Sequence, residues 1–225
     1  MNLIDTLKLW DTNLFLLING VHSPFFDGFM YSVSEKFVWI PLYISVLYVL
    51  IKYWKKEAIW LIVALIICIV ISDQVASGLL KDLVKRFRPS HAENLKGLVH
   101  LVKGYAGGNY GFASSHAANA FGFAMLSSLI FNRKIYTYSI FLWAIITAYS
   151  RLYLGVHYPL DVLGGAVIGI LAALICYFSI RKMRPTLFFH EDFKGEKSEA
   201  LNPVIILSLS VLVIIFYSIF FWQIQ

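Results

Sequence analysis

Charge is scarce in this chain. Asp, Glu, Lys and Arg make up 14% of its 225 residues and hydrophobic residues 59%, with a mean hydropathy of +0.72. So little charge cannot cover a water-exposed surface, which excludes an ordinary soluble globular domain. Cysteine is nearly missing. Cys68 and Cys176 both sit inside apolar runs, which excludes a disulfide framework and leaves them to pack as small apolar groups. No His/Cys spacing matches a zinc site, so no metal is expected. A cleavable secretory leader is not expected either, because Asp5, Lys8 and Asp11 interrupt any apolar core in the opening stretch. The glycines of GYAGGNYG at 104–111 lack the spacing and the following Lys of a phosphate-binding P-loop, and the run reads as flexible backbone. Internal repeats, low-complexity tracts and Asn-x-Ser/Thr sites are also missing.

What the chain has in abundance is apolar segments of membrane-crossing length. A bilayer core takes roughly 20 mostly apolar residues per helix, and six segments qualify, at 36–53, 57–81, 116–131, 135–154, 159–180 and 203–222. The predicted fold class is all-α, a polytopic membrane helical bundle with six transmembrane helices. Leu3, Leu7, Trp10, Leu14, Leu17 and Ile18 recur at helical spacing, so residues 3–19 are predicted to lie along the interface as an amphipathic helix, the alternative being a short additional span. This length leaves room for one bundle and no separate soluble domain. The prediction is therefore a single membrane-embedded domain over 1–225, with an interfacial N-terminal segment at 1–35, a functional loop at 82–115 and a connector at 183–201. HEDFKGEKSE at 190–199 makes that connector polar and mixed in charge.

A net charge of +6 would suggest nucleic acid in a soluble protein, but here the basic residues fall in short loops and in three motifs, so no nucleic-acid partner is expected. Lys52, Lys55, Lys56, Arg133, Lys134, Arg181, Lys182 and Arg184 occupy the loops of one face, which the positive-inside rule assigns to the cytoplasm. The opposite face, extracytoplasmic by this reasoning, receives KDLVKRFRP at 81–89, ASSH at 113–116 and SRLYLGVHYPLD at 150–161. Alternating helix directions bring all three strings to that one face.

Each string has a chemical reading and a plainer one. Lys81 and Arg88 are seven residues apart, about two helical turns, so both meet one phosphate if the helix continues past the interface. Lys would supply a point charge and Arg a planar fork, with Pro89 stopping the helix after them; the alternative is a basic cluster attracted to anionic lipid. His157 and Asp161 are four apart, and Pro159 suits the first turn of a helix. That spacing lets the carboxylate orient the imidazole and leaves its other nitrogen free to attack phosphorus, the alternative being an interfacial His beside a capping Asp. His116 follows Ser114 and Ser115 at a helix start, where N–H groups and the helix dipole favour an anion. A protonated His there can serve a leaving oxygen. Asp73 lies inside a span, where charge is costly and usually functional. Asp73, Ser77 and Lys81 share an i, i+4 face, so Asp73 is expected either to face the bundle interior and support the site floor or to make a structural hydrogen bond.

Together the strings resemble the signature of the type 2 phosphatidic acid phosphatase superfamily, whose other branch includes bacterial acid phosphatases and vanadium haloperoxidases. Lys81, Arg88 and Pro89 fit its first motif, and Ser150, Arg151, His157 and Asp161 its third. The second, Pro-Ser-Gly-His, is met at Ser114 and His116, with Ala113 in place of Pro and Ser115 in place of Gly. The resemblance implies a lipid phosphatase with His157 as nucleophile, His116 as general acid and base, and Asp161 orienting His157. Lys81, Arg88, Arg151, Ser114 and Ser115 would hold the phosphate, with Ser150 in support; Asp73 is a further candidate for support from its place in the span and not from the resemblance. No cofactor or metal is implied, because three cations supply the charge of a divalent ion. The implied partners are the bilayer and a membrane lipid phosphate, with undecaprenyl diphosphate, phosphatidylglycerophosphate, phosphatidic acid and lipid A as candidates. Tyr153 and Tyr158 read as aromatic belt rather than as ligands. The implied location is a bacterial inner membrane with the site facing the periplasm or cell exterior. Rival readings are a silent lipid-phosphate binder or transporter, which has no need of the His157–Asp161 pair, and a vanadate-dependent haloperoxidase.

Overall fold

The computed structural model describes residues 3–188, 201–220 and 222; the 190–199 stretch lies outside them. Among the described residues the regular structure is helical, with one isolated bridge between Phe87 and Tyr110. The chain runs through α1 (Leu3–Asn19), α2 (Pro24–Ser34), a 3-10 turn at Lys36–Trp39, α3 (Ile40–Trp54) and α4 (Ala58–Asp73). A π-helical stretch, Gln74–Leu79, carries α4 into α5 (Leu80–Val84). After the long loop come α6 (Ser115–Phe131), α7 (Lys134–Tyr153), α8 (Pro159–Met183) and α9 (Asn202–Phe220).

The apolar segments predict these boundaries because strong local signals end them. Ser23 caps α2 ahead of Pro24, Ser114 caps α6, and Pro159 opens α8. Lys85 and Asn132 close α5 and α6 in the left-handed conformation. Lys36–Val84, Pro159–Met183 and Asn202–Phe220 are long and apolar enough to cross a membrane.

The core forms where α6 meets α8, α4 and α7. On α8, Gly165 and Gly169 are one small-xxx-small step apart, and a Cβ at either would collide with the carbonyl oxygen of Ser114 or Ala118. Backbone therefore packs against backbone, the form of association that suits helices in lipid, where apolar side chains gain nothing by leaving the hydrocarbon. Around this seam Leu61, Leu65 and Cys68 of α4, Phe123 and Leu126 of α6, Trp143 of α7 and Cys176 of α8 are buried together. Both cysteines pack as the sequence suggests.

Two N-terminal features depart from the sequence reading. Within the segment read only as interfacial, α2 is a capped helix that packs on α7 and α9. Its Gly28 lies under Trp222, where a Cβ would come within 2.6 Å of the indole. Eleven residues interrupted by Asp27 and Gly28 carry no membrane-helix signal, so α2 exists through this docking. In α1 the apolar row Leu3, Leu7, Trp10, Leu14 and Leu17 is exposed, and Asp11, Phe15 and Asn19 form the buried face. Asp11 thus faces the bundle, and the apolar row is left for lipid.

Candidate active site

Lys81 and Arg88 converge by a route other than a continuous helix. The helix ends at Val84, Lys85 turns left-handed, and the chain returns extended at Arg88. The GYAGGNYG run then wraps this segment. Arg88 donates its backbone N–H to Asn109 O at 3.0 Å and its Nε–H to Tyr110 O at 3.0 Å, while Gly111 donates its N–H to Arg86 O at 2.9 Å. At Gly107, φ is +69° and a Cβ would fall 2.6 Å from an Arg88 guanidinium nitrogen. Gly107 and Gly111 therefore serve close backbone approach to Arg88 and Asp161, whereas Gly104 and Gly108 face open space.

Arg151, in the last turn of α7, is 2% exposed. It donates from Nη1 to Ser34 Oγ and from Nη2 to Tyr105 Oη, the latter at 3.1 Å, while its buried Nε–H has no partner among the described residues. His157 is 1% exposed in the loop before α8. Its Nδ1 lies 3.5 Å from Asp161 Oδ2, longer than a formed hydrogen bond. That same carboxylate oxygen accepts the Tyr158 N–H at 3.0 Å, so Asp161 both caps α8 and faces the imidazole. Burial first, and then the charges of Arg88, Arg151 and Lys81, hold His157 well below its ordinary 6.5. The three cations of the motifs thus surround one neutral imidazole.

The remaining predicted residues divide. His116 lines two cavities that also share Ser34 and Lys36. One, of about 260 Å³, is polar and bordered by Tyr105 and Arg151. The other, of about 520 Å³, is apolar and runs between α3, α4, α6 and α7, with Ser115 and Asn119 at its polar end. Ser115 opens α6 in helical conformation, so its place in a position the family fills with Gly imposes no strain. Ser114 is fully buried. Its Oγ faces the Ala117 N–H at 3.5 Å and its N–H donates to Asp161 O at 2.9 Å, so it caps α6 and ties it to α8. Ser150 donates back to Thr147 O at 2.7 Å, which braces the last turn of α7 next to Arg151. Asp73 faces inward and accepts from Asn119 Nδ2 at 3.3 Å, while Lys81 Nζ donates to Ser77 Oγ at 3.2 Å.

Tyr153 and Tyr158 are not belt residues, being 2% and 5% exposed. Tyr153 donates to Asp27 Oδ1 at 2.7 Å, and the Tyr158 ring lies 3.8 Å from the Arg86 guanidinium carbon. Arg86, Asp11, Tyr105 and Ser34 all touch the site or its supports and were not singled out by the motifs. Arg86 and Tyr105 were inside strings already noted, but nothing local separated them from a basic cluster and a turn.

The profile of the PAP2 superfamily matches residues 57–185. A lipid A 4′-phosphatase of Bacteroides thetaiotaomicron is 43% identical over 188 residues, 82% of this chain and 83% of that protein. The crystal structure of Aquifex aeolicus LpxE superposes with a TM-score of 0.56 at 30% identity, covering 73% of this chain and 93% of that one. A transmembrane PAP2-type phosphatidylglycerolphosphate phosphatase from Bacillus subtilis gives a TM-score of 0.62 at 20% identity, over 80% and 88% of the two chains, and shares the fold.

Proposed function

Because this chain belongs to the PAP2 superfamily, we propose that it is a membrane lipid phosphatase that removes the 4′-phosphate of lipid A through a phosphohistidine at His157. The observation that carries this reading is the meeting of the two cavities at His116. A phosphorylated sugar headgroup fits the polar chamber beside Arg151, and acyl chains fit the apolar groove, whose Ile66 and Val70 are more than half exposed at its side. A lipid enters such a groove from the bilayer without leaving it. The reading takes all six apolar segments as crossings of an inner membrane, with the site on the extracytoplasmic face and residues 1–225 as one domain.

In the first step Nε2 of neutral His157 attacks phosphorus and the P–O bond to the sugar breaks. The leaving oxygen takes a proton from His116. Asp161 stabilises the charge that develops on the ring through Nδ1, and the 3.5 Å approach shortens as that charge forms. Arg151 exchanges Ser34 and Tyr105 for phosphate oxygens, while Lys81 and Arg88 neutralise the rest. The phosphate dianion also brings counter-charge that favours the protonated form of His116. In the second step His116 takes a proton from water, the hydroxide attacks phosphorus, and the P–N bond breaks to release inorganic phosphate and neutral His157.

The test is phosphate release from lipid A, undecaprenyl diphosphate, phosphatidylglycerophosphate and phosphatidic acid by the purified protein, with the lipid A product analysed by mass spectrometry. Loss of the 4′-phosphate with retention of the 1-phosphate is expected. Turnover of one of the other lipids with none of lipid A sinks the substrate assignment and leaves the phosphatase chemistry.

A further inference from the structure

Three side chains outside the motif set form a continuous chain behind the nucleophile. Arg86 Nη1 donates to Asp161 Oδ1 at 3.2 Å, and its Nη2 lies 2.7 Å from Asp11 Oδ2. Asp11 comes from α1, is buried, and its Oδ1 accepts the Leu160 N–H at 2.8 Å in the first turn of α8. The Tyr158 ring lies against the flat face of Arg86, and Phe15 of α1 meets that ring edge-on at 5.5 Å. Arg86 is thus fixed by two carboxylates and one aromatic face.

We propose that Arg86, anchored by Asp11, is a positioning residue that holds Asp161 ionised and aimed at His157, so that α1 is part of the catalytic apparatus. The inference rests on His157 being the nucleophile. Two buried carboxylates so close together cannot both stay charged without a cation between them. Arg86 lies between them, and its planar fork serves both, as an ammonium group cannot. Asp161 is then held at one oxygen by Arg86 and at the other by the Tyr158 N–H, which leaves the second oxygen facing the ring. The other charged or titratable groups of this region are Lys81, Arg88, Arg151 and His116 around His157, Tyr105 beside Arg88 and Arg151, and the Tyr158 phenol; all of them remain in place when Arg86 is changed. Partners that orient a metal-bound histidine change affinity or activity by about 10- to 100-fold, and an effect of the same order is expected for a group that orients the carboxylate behind a nucleophilic histidine.

The 225-residue chain in mixed micelles with lipid A or phosphatidic acid is the assay. Arg86→Gln should lower kcat by about 10- to 100-fold with KM nearly unchanged, and should move the acid limb of the pH–rate profile upward, because Asp161 then takes a proton more readily. Arg86→Lys should recover part of the rate. Asp11→Asn should cost less than Arg86→Gln, and the double variant no more than Arg86→Gln alone, because the two act as a unit. Vanadate affinity should hold throughout, since Lys81, Arg88 and Arg151 remain. An unshifted pH profile overturns the proposal, whether the rate is wild-type or has fallen together with thermal stability; additive losses in the double variant overturn it too. His157→Ala is the separate control: its retained turnover overturns the nucleophile assignment itself, whereas an inactive His157→Ala beside an unaffected Arg86→Gln overturns the positioning role alone.

Discussion

At the end of the bundle where α6 and α8 begin, Arg88 and Arg151 are buried and held by backbone carbonyls, hydroxyls and one another's neighbours. At the other end Lys55 and Lys56 in the 3-10 turn between α3 and α4, Lys134 in the first turn of α7 and Lys182 in the last turn of α8 stand exposed. The residue types are the same and their energetic situations are opposite. An exposed Lys is solvated and screened, so its removal changes little. A buried guanidinium has given up its water and gains from every oxygen that replaces it, which makes it a strong receiver for phosphate. Simple counting of Lys and Arg treats the two ends alike; burial with fixed partners distinguishes them.

The largest effect that sharpens this contrast is expected for His157→Ala, which should lower turnover at least about a thousandfold while lipid-phosphate binding persists on the three remaining cations. Unimpaired turnover would break the assignment. His116→Ala should cost about a hundredfold or more, and less on a nitrophenyl phosphate, whose leaving group needs no proton; equal losses on both substrates count against the acid role. Arg151→Ala should weaken competitive inhibition by vanadate, a mimic of five-coordinate phosphorus, whereas Lys182→Ala at the other end should leave it unchanged. Equal effects of these two variants would erase the distinction between the ends. EDTA should leave activity intact, since the cations are built in.

A smaller effect concerns pH. His157 is held below 6.5 in the fold by burial and by Arg88, Arg151 and Lys81, so below that value the unfolded chain takes up a proton that the native protein refuses. Stability contributed by this group is present above 6.5 and is lost as pH falls from there toward the folded value. Melting temperatures followed from about pH 8 to about pH 5 should decline, with a shallower slope in His157→Gln. An identical slope in that variant assigns the acid sensitivity to other groups.

The helix limits were legible because long apolar runs and signals such as Pro159 are local. The convergence of Lys81, Arg88, Arg151, His116, His157 and Asp161 was legible because it followed from helix order and motif spacing. What was not legible depends on docking between distant parts of the chain. Asp11 interrupts an apolar row in sequence and pairs with Arg86 across 75 residues of chain in space. The short helix α2 brings Ser34 to Arg151 only after packing under Trp222. Arg88 arrives by a left-handed turn at Lys85, where helical periodicity predicted a straight continuation. No property of a single segment announces such contacts.

The glycine seam between α6 and α8 has a consequence for how the protein sits in different membranes. His116 rides on one of these helices and Asp161 on the other, and at Gly165 and Gly169 no side chain separates them. Bilayers of different thickness act on a helical protein by tilting its peripheral helices; with backbone already against backbone, α3 and α9 yield before this pair does. In vesicles of graded acyl-chain length the rate per bound lipid should therefore stay level while KM drifts with groove width, so that thickness regulates admission rather than chemistry.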